Sequence, residues 1–467
     1  MLPNKEPLPG TTIELSPVPL QFPVTSNKCK IPIEVFPHEC VKGVARLETS
    51  PEAGGIEAMY LQAKKTARRG TIVPLFAVLL IPILAMLCFS IDAGWMVLTR
   101  TDLQSTADAA ALAGAEQLQE LYVQYNLPNN INQGNVLATA TGNTPGSPMA
   151  MAEKIAKLNK AGNVYINLLD QDVHFGFLDA GGNYTSPYAG FPNTIEVTVR
   201  RDGTANTPLQ LFFGGILGMP TAELQATARA TIYAGTVSSL KSIPGVGAHI
   251  LPVALDYKVW DNFYATGVSP DGAIHLNASN AGPELKVYPY PGNAPGNFGL
   301  LDVGPPANNV PAFRNWIDNG ETPNDINFLL DNNLLPVSLS APKSWKCGPG
   351  LKSTLTSDFN SQMWQPNLIP LFKAVQYPSA ANGNTYVAAS GNGQNATYAI
   401  VGFVGVDISN ATGSGNNMNI SIQPCAVIDP SEVIMNTLPA GTQRDPLTPS
   451  VPTPTTYTTF SSAKLTY

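Results

Sequence analysis

The chain has 467 residues, enough for two or three domains, and only 13% of them are charged. A formal net charge of −7 disfavours a nucleic-acid partner, because a nucleic-acid-binding surface needs an excess of positive charge. The 42 prolines and 40 glycines indicate strands joined by many turns, or extended surface structure.

The first 58 residues differ in kind from the rest of the chain. They hold nine prolines and show no helical period, so we expect no fold in residues 1–58. Two explanations stay open: a disordered cytoplasmic tail, or an extension that is not translated because the natural start is Met59. Residues 59–70 form a short basic leader that contains Lys64, Lys65, Arg68 and Arg69.

An apolar run follows the leader and carries no charge over residues 71–91. At ~1.5 Å per residue it spans roughly 30 Å, the thickness of the hydrocarbon core of a bilayer, and predicts a single transmembrane helix. Its length, and the lack of a small-x-small site close behind it, favour an uncleaved anchor over a signal peptide. The basic flank predicts an amino end in the cytoplasm and a chain that lies across the membrane from residue 92 onward.

Residues 92–125 predict an amphipathic helix that continues the anchor. One stripe of apolar, mostly very small residues recurs at three- and four-residue steps: Leu103, Ala107, Ala110, Ala111, Gly114, Leu118 and Leu121. Small side chains allow close approach, so we expect the outer half of this helix to pack on a globular head. A stalk that merely joins the anchor to the head is the alternative. Asp92, at the bilayer edge, is interpreted as an interface marker, with a docking role as the alternative.

A specific set of residues spans the basic leader, the anchor exit and the Ala-rich helix. Its members are Arg69, Gly70, Phe76, Ala77, Pro82, Asp92, Gly94, Arg100, Leu103, Gln104, Ala107, Asp108, Ala109, Ala110, Ala111, Leu112 and Ala113. Over about 50 residues this sequence closely resembles the amino-terminal segment of TadE/TadG-like proteins of the bacterial Flp (tight-adherence) pilus system.

The resemblance implies a TadG-like structural or assembly component, anchored in the inner (cytoplasmic) membrane with most of the chain periplasmic or extracytoplasmic. Its expected partners are other Tad components or minor pilins. Prepilins are cut after a Gly and usually carry Glu five residues later. Here Gly70 is followed at that distance by Leu75, so prepilin-type cleavage is not supported.

Residues 126–235 predict an α+β head. Alternating apolar and polar residues predict strands at 195–199 and 224–232, and a further strand is expected at 173–178. A short helix is expected at 149–158. The uncharged segment 208–220 is expected to cover the sheet.

Residues 236–438 predict a second α+β or mostly β domain with long loops. Strands are expected at 250–255, 398–407 and 418–423, and helices at 311–319 and 325–332. Residues 439–467 are rich in Pro, Thr and Ser and predict a loose tail. The predicted fold class is therefore α+β: one transmembrane helix, an amphipathic helix, then a mostly β exported region.

The sequence contains no recognisable catalytic set, cofactor site or metal site. None of His38, His174, His249 and His275 has a metal-ligand spacing. The acids Asp318, Glu321, Asp325 and Asp331 do not follow the Ca²⁺-loop pattern, so we expect a solvated helix–loop face, with a weak calcium site as the alternative.

Two cysteines of the distal region could pair if that region is exported: Cys347 and Cys425. A membrane-tethered binding or adhesion module, or an enzyme, with its function in residues 236–438, stays the alternative to a pilus-assembly role.

Overall fold

A computed structural model describes residues 72–128, 130–278, 280, 282–288, 300–306, 309–347, 353–376, 386–387, 397–413, 418–442 and 458–466. The predictions for residues 1–58 and for the leader at 59–70, including Arg69 and Gly70, lie outside the described residues.

The described helices are α1 (Ile72–Tyr125), α2 (Gln133–Thr141), α3 (Pro148–Ala156), α4 (Tyr257–Thr266), α5 (Val310–Asn319), α6 (Pro323–Asp331) and α7 (Thr356–Ser361). The described strands are β1 (Lys160–Ala161), β2 (Val164–Tyr165), β3 (Val173–Leu178), β4 (Tyr184–Thr185), β5 (Thr194–Arg201), β6 (Leu209–Gln210), β7 (Thr221–Ala222), β8 (Leu224–Leu240), β9 (Leu255–Asp256), β10 (His275–Leu276), β11 (Pro283–Tyr288), β12 (Lys343–Lys346), β13 (Asn367–Gln376), β14 (Tyr386–Val387), β15 (Thr397–Thr412), β16 (Asn419–Pro424), β17 (Glu432–Pro439) and β18 (Phe460–Thr466).

The predicted fold class is confirmed. α1 runs unbroken for 54 residues, about 80 Å at 1.5 Å per residue, so the apolar run and the Ala-rich segment form one helix. Pro82 lies inside the apolar half, where helices in membranes tolerate proline. A mostly β region follows α1, as the alternating patterns predict.

One large sheet organises the rest of the described chain, and β8 is its central strand. Its first half pairs antiparallel with β5, and its second half pairs with β17, with β18 pairing in between. β15 also meets β8, through Val237 and Phe403, and carries β13 and β16 on its two edges. β8 runs to Leu240, beyond the predicted end at residue 232, and therefore crosses the expected boundary near residue 235.

The outer half of α1 packs on this sheet through very small side chains. Every residue of the predicted stripe is buried, and opposite it lie the buried alanines of β8, Ala226, Ala228 and Ala230. A Cβ at Gly114 would come within 2.6 Å of Ile195 Cδ1 and 3.1 Å of the Pro148 carbonyl oxygen. This half of the helix therefore packs on the head, and Gly114 lies where the helix closely approaches Ile195 and Pro148.

The expected loose tail at 439–467 needs correction for its last described part. Residues 460–466 form β18, which pairs with β8, and Phe460 is fully buried against the ring of Tyr122, with ring centroids 6.0 Å apart. The Gln119 side chain donates from Nε2 to the Ser461 carbonyl oxygen at 3.0 Å. The composition of this segment, rich in Pro, Thr and Ser, did not indicate a strand because the segment has few apolar residues.

Two hydrophobic cores divide along β8. The core around α1 uses β8 up to Ala234, whereas the distal core begins with Val237 and holds Trp260 and Trp345. The helix α4 that carries Trp260 was not predicted, nor was α2. The strand expected at 250–255 is mostly absent: only β9 at its end is a strand, and Ile250 makes an isolated bridge.

Replacing Gly114 by leucine is expected to destabilise the fold by more than about 2 kcal/mol, because extra methylenes cannot enter this contact without moving Ile195 and the backbone of α3. The measurement is urea unfolding of the full chain in detergent, followed by tryptophan fluorescence. Gly94→Leu is the matched control on the same helix, since a Cβ at Gly94 meets no atom within 4 Å. Equal midpoints for the two variants would contradict the close packing.

Candidate membrane and assembly interface

The first half of α1 is apolar and exposed around its whole circumference. The large side chains from Leu75 to Ile91 point in every direction from the helix, and all are exposed. Among the described residues, α1 is the one helix long and apolar enough to cross a membrane. Exposed apolar area is unfavourable in water by roughly 25 cal/mol per Å², so this surface suits a bilayer.

Asp92 follows the uncharged stretch of α1 and is a buried residue, only 5% exposed. Its Oδ1 accepts a hydrogen bond from the Phe212 amide at 2.8 Å, and its Oδ2 accepts one from the Phe213 amide at 3.0 Å. Both amides lie about 120 residues further along the chain. The interpretation of Asp92 as an interface marker is therefore incomplete, because the carboxylate also binds a distant loop to α1.

That loop is a hairpin, and it does not lie where the sequence suggests. β6 and β7 pair and enclose a 3-10 turn at Gly214–Leu217. The expectation that segment 208–220 covers the sheet is wrong: the hairpin lies against α1, and Ile216 at its tip is 81% exposed. Between hairpin and helix runs an apolar groove of about 420 Å³.

The groove extends along the exposed half of α1. Its lining on the helix side is Ile81, Leu84, Ala85, Cys88, Phe89, Asp92 and Met96, and on the hairpin side Leu211, Phe213, Gly214, Ile216, Leu217, Met219, Thr221 and Ala222. Asp92 is the only charged residue in this lining, and its carboxylate is occupied by the two amides.

Arg201 fixes the base of the hairpin. Its side chain is almost fully buried and donates to the carbonyl oxygens of Ala161 and Gly162 at 3.0 and 2.9 Å, and to those of Asn206 and Thr207 at 3.1 and 3.0 Å. Burial lowers the pKa of this guanidinium from its usual value. The β5–β6 connection is thereby tied to the β1–β2 turn.

The motif residues of the Ala-rich segment serve the packing of α1 on its own sheet. Leu103, Ala107, Ala110 and Ala111 are fully buried, and Ala109 is half-buried. Gln104 donates to the Asp108 carboxylate at 2.8 Å and to the Thr227 carbonyl oxygen on β8 at 3.3 Å. This face of the helix is therefore occupied within the chain, as the predicted packing on the head requires.

Comparison with known families agrees with this geometry. Residues 70–117 match the TadE/G-like family of Flp pilus-assembly proteins, and residues 97–230 match the Tad-like Flp pilus-assembly family. Residues 70–230 are Tad-like. The resemblance predicted from the sequence is confirmed, and it supports a role in pilus assembly. No curated protein and no solved structure gives a significant match.

The Tad-like region contains α1, β5 and the first part of β8, on which α1 packs. The second match ends at residue 230 within β8, so the distal core and β18 lie outside it. The buried alanines of α1, and Ala226, Ala228 and Ala230 of β8, fall inside the matched residues. The family sequence thus encodes both sides of one helix–sheet contact.

The predicted disulfide outside the Tad-like region is not made. Cys347 and Cys425 are both buried thiols. Cys347 follows Lys346, which pairs with Thr397, whereas the Cys425 amide donates to the Gly405 carbonyl oxygen, eight residues further along β15. At ~3.3 Å per residue the two lie about 26 Å apart along that strand, far beyond the reach of a disulfide.

The acids expected on one solvated face serve different purposes. Glu321 is fully buried and accepts the Ile250 amide at 2.8 Å, and burial raises its pKa well above the usual value. Asp325 caps α6 through the Thr322 amide at 2.8 Å, and Asp318 accepts from the Ser361 hydroxyl at 3.1 Å. Within the described part of the chain, no group of three potential metal ligands comes together.

Two acids, Glu120 of α1 and Asp407 of β15, lie near each other where the Tad-like helix meets the distal core. Burial, and then the neighbouring Glu120 carboxylate of α1, raise the pKa of Asp407 to about 7. Glu120 also accepts the Ala426 amide at 3.4 Å. Burial and the same two carboxylates raise the pKa of the Cys425 thiol well above its usual range. Sequence patterns did not single out this pair, because its members lie on α1 and β15, far apart in the chain.

Replacing Asp92 by alanine is expected to release the hairpin, since the Phe212 and Phe213 amides lose their acceptors. An unsatisfied buried amide costs roughly 1–3 kcal/mol, so hydrogen exchange at residues 209–222 should accelerate by at least about tenfold. The measurement is exchange mass spectrometry on the full chain in detergent. Asp102→Ala, further along α1, is the control and should leave these peptides protected. Unchanged exchange in Asp92→Ala would refute the contact.

Asp407→Asn is expected to reduce the pH dependence of stability. The folded-state pKa of Asp407, about 7, is raised, so its stabilising contribution is full below the ordinary aspartate pKa and is lost as the pH rises toward neutrality. Between about pH 4 and pH 8 the wild type should lose on the order of 3 kcal/mol relative to the variant. Urea unfolding across this range measures it, with Glu116→Gln, an exposed acid of α1, as control. Parallel curves for wild type and Asp407→Asn would contradict the shift.

Proposed function

We propose that the chain is a membrane-anchored, TadG-like structural component of a Flp-type (tight-adherence) pilus assembly system. The observation that carries this proposal is the two-part character of α1. Its first half is apolar and exposed on all sides, its second half is the core of the head, and the Tad-like match covers both. A helix of this kind holds a folded head at a fixed height above a bilayer.

The proposed orientation has the amino end in the cytoplasm and the head on the outer side of the inner membrane. Its support is the basic leader, with Lys64, Lys65, Arg68 and Arg69 directly before α1. Beyond the membrane exit, Asp92 and Asp102 keep the other flank free of an excess of positive charge.

The proposed partners are other Tad components or minor pilins. The small-residue face of α1 is occupied by the chain's own sheet, so these partners would have to meet α1 along its exposed half or meet the outer surface of the head. The wide exposed surface of the Leu75–Ile91 half, within a bilayer, leaves room for contacts between membrane helices.

We further propose that the role is structural and not catalytic. Two buried acids bind the backbone: Asp92 accepts the hairpin amides and Glu321 accepts the Ile250 amide. Glu120 likewise binds the Ala426 amide and so connects α1 to the distal region. Each of these contacts positions a part of the fold, which supports a structural role.

Deleting the gene in the bacterium that encodes the chain is expected to abolish Flp pili, counted by electron microscopy. The full chain should restore them and fractionate with membranes after alkaline carbonate washing. A chain without residues 72–91 should not restore them. As a control, a chain in which an unrelated transmembrane helix replaces residues 72–91 tests whether this segment only tethers. Unchanged piliation in the deletion strain, or recovery of the wild-type chain in the soluble fraction, would contradict the proposal.

A further inference from the structure

We propose that the β6–β7 hairpin, residues 209–222, is a second membrane-inserted element, immersed in the outer leaflet beside α1, with lipid acyl chains filling the groove between them. The inference rests on the proposed function, because it takes α1 as inserted in a bilayer. It goes beyond a single-pass anchor, since it assigns lipid contacts to a segment of the folded head.

The composition of the hairpin suits hydrocarbon. No charged residue occurs between Asp202 and Glu223. Phe212, Ile216, Leu217 and Met219 are all more than 60% exposed and adjoin one another around the turn. Single exposed apolar side chains are normal on soluble proteins, but a contiguous group marks an interaction surface.

The depth of the hairpin follows from its contacts with α1. The groove is lined by residues from Ile81 to Met96 on the helix side. Ile81 lies eleven residues before Asp92, about 16 Å along the helix axis on the membrane side. A segment packed beside this stretch of an inserted helix lies at the same depth. The hairpin tip therefore cannot be in water while residues 81–91 are in hydrocarbon.

A backbone that enters a membrane needs its polar groups bound within the protein, and several amides of the hairpin are bound in this way. The Phe212 and Phe213 amides bind Asp92. The Leu211 amide donates to the Pro220 carbonyl oxygen and the Met219 amide to the Gly214 carbonyl oxygen, both at 2.9 Å. The buried carboxylate thus has a second purpose: it supplies acceptors to amides that would otherwise face lipid.

The residues next to the hairpin indicate where the bilayer surface lies. Trp95 contacts the ring of Phe212, with centroids 5.7 Å apart, and tryptophan favours the headgroup region. One turn beyond, Arg100 is exposed, and at the hairpin base Glu223 accepts the Gly203 amide at 3.3 Å. Apart from Asp92, whose carboxylate is bound by the two hairpin amides, the charged residues lie beyond Trp95, and the tip of the hairpin lies on the other side of this level.

The test measures membrane depth directly, with the full chain reconstituted in vesicles of phosphatidylcholine and phosphatidylglycerol. Single cysteines carrying an NBD fluorophore are placed at Ile216 in the hairpin, at Leu84 in α1 and at Ile131 in the head. Ile131 is the matched control, since it is an apolar residue 88% exposed outside this interface. The background replaces Cys29→Ser, Cys40→Ser and Cys88→Ala and leaves the buried Cys347 and Cys425.

Nitroxide-labelled phospholipids then quench fluorophores that lie within the bilayer. The proposal expects quenching at Ile216→Cys to reach at least about half of that at Leu84→Cys, and to exceed that at Ile131→Cys by about threefold or more. Leu217→Cys, at the same turn, should behave like Ile216→Cys. Because Ile216 and Leu217 are exposed, labelling there is compatible with the fold.

The other outcomes separate the two proposals. Quenching at Leu84→Cys without quenching at Ile216→Cys overturns the hairpin insertion and leaves the anchored function intact. Absence of quenching at Leu84→Cys overturns the anchored function itself. A blue-shifted but unquenched label at Ile216→Cys, with self-quenching that grows with the labelled fraction, would mean that a second copy of the chain covers the hairpin, and it also overturns the proposal.

Discussion

The close contact between α1 and β8 is the constraint on which the rest of the structure depends. Alanine faces alanine across this contact, and Gly114 leaves no room for even a Cβ against Ile195. Small side chains bring the helix axis near the sheet, and the helix is continuous into its apolar half. The direction in which α1 leaves the head is therefore fixed by packing.

The position of the hairpin follows from that direction. Arg201 holds its base through four carbonyl oxygens, and Asp92 holds its tip segment through two amides. Both are charged groups that use backbone atoms as partners. Such contacts are directional and, when buried, strong, so they hold the hairpin beside the exposed half of α1, and the two form one apolar surface.

The sequence was informative wherever a feature depends on local periodicity. The stripe from Leu103 to Leu121, the strand β5 and the first part of β8 follow directly from the spacing of apolar residues. The sequence did not predict contacts between residues distant in the chain. Nothing near Asp92 indicates its contact with the amides of residues 212–213, and nothing near Asp407 indicates its proximity to Glu120. The composition of an apolar segment such as 208–220 indicates that its exposure to water is unfavourable. It does not indicate whether a sheet, a helix or lipid covers the segment.

The strand β18 has a consequence for the order in which the molecule can be made. Phe460 of this strand lies against the ring of Tyr122, and the strand pairs with β8. The core of the head therefore contains residues more than 330 positions apart in the chain. Synthesis proceeds from the amino end, and α1 emerges long before residues 458–466 exist. During that interval the apolar edge around Tyr122 has no cover. Closure of the head is thus a late step that depends on contacts between distant parts of the chain, and pairing of distant strands is slow. The Tad-like region therefore completes its fold only after the distal region has been made.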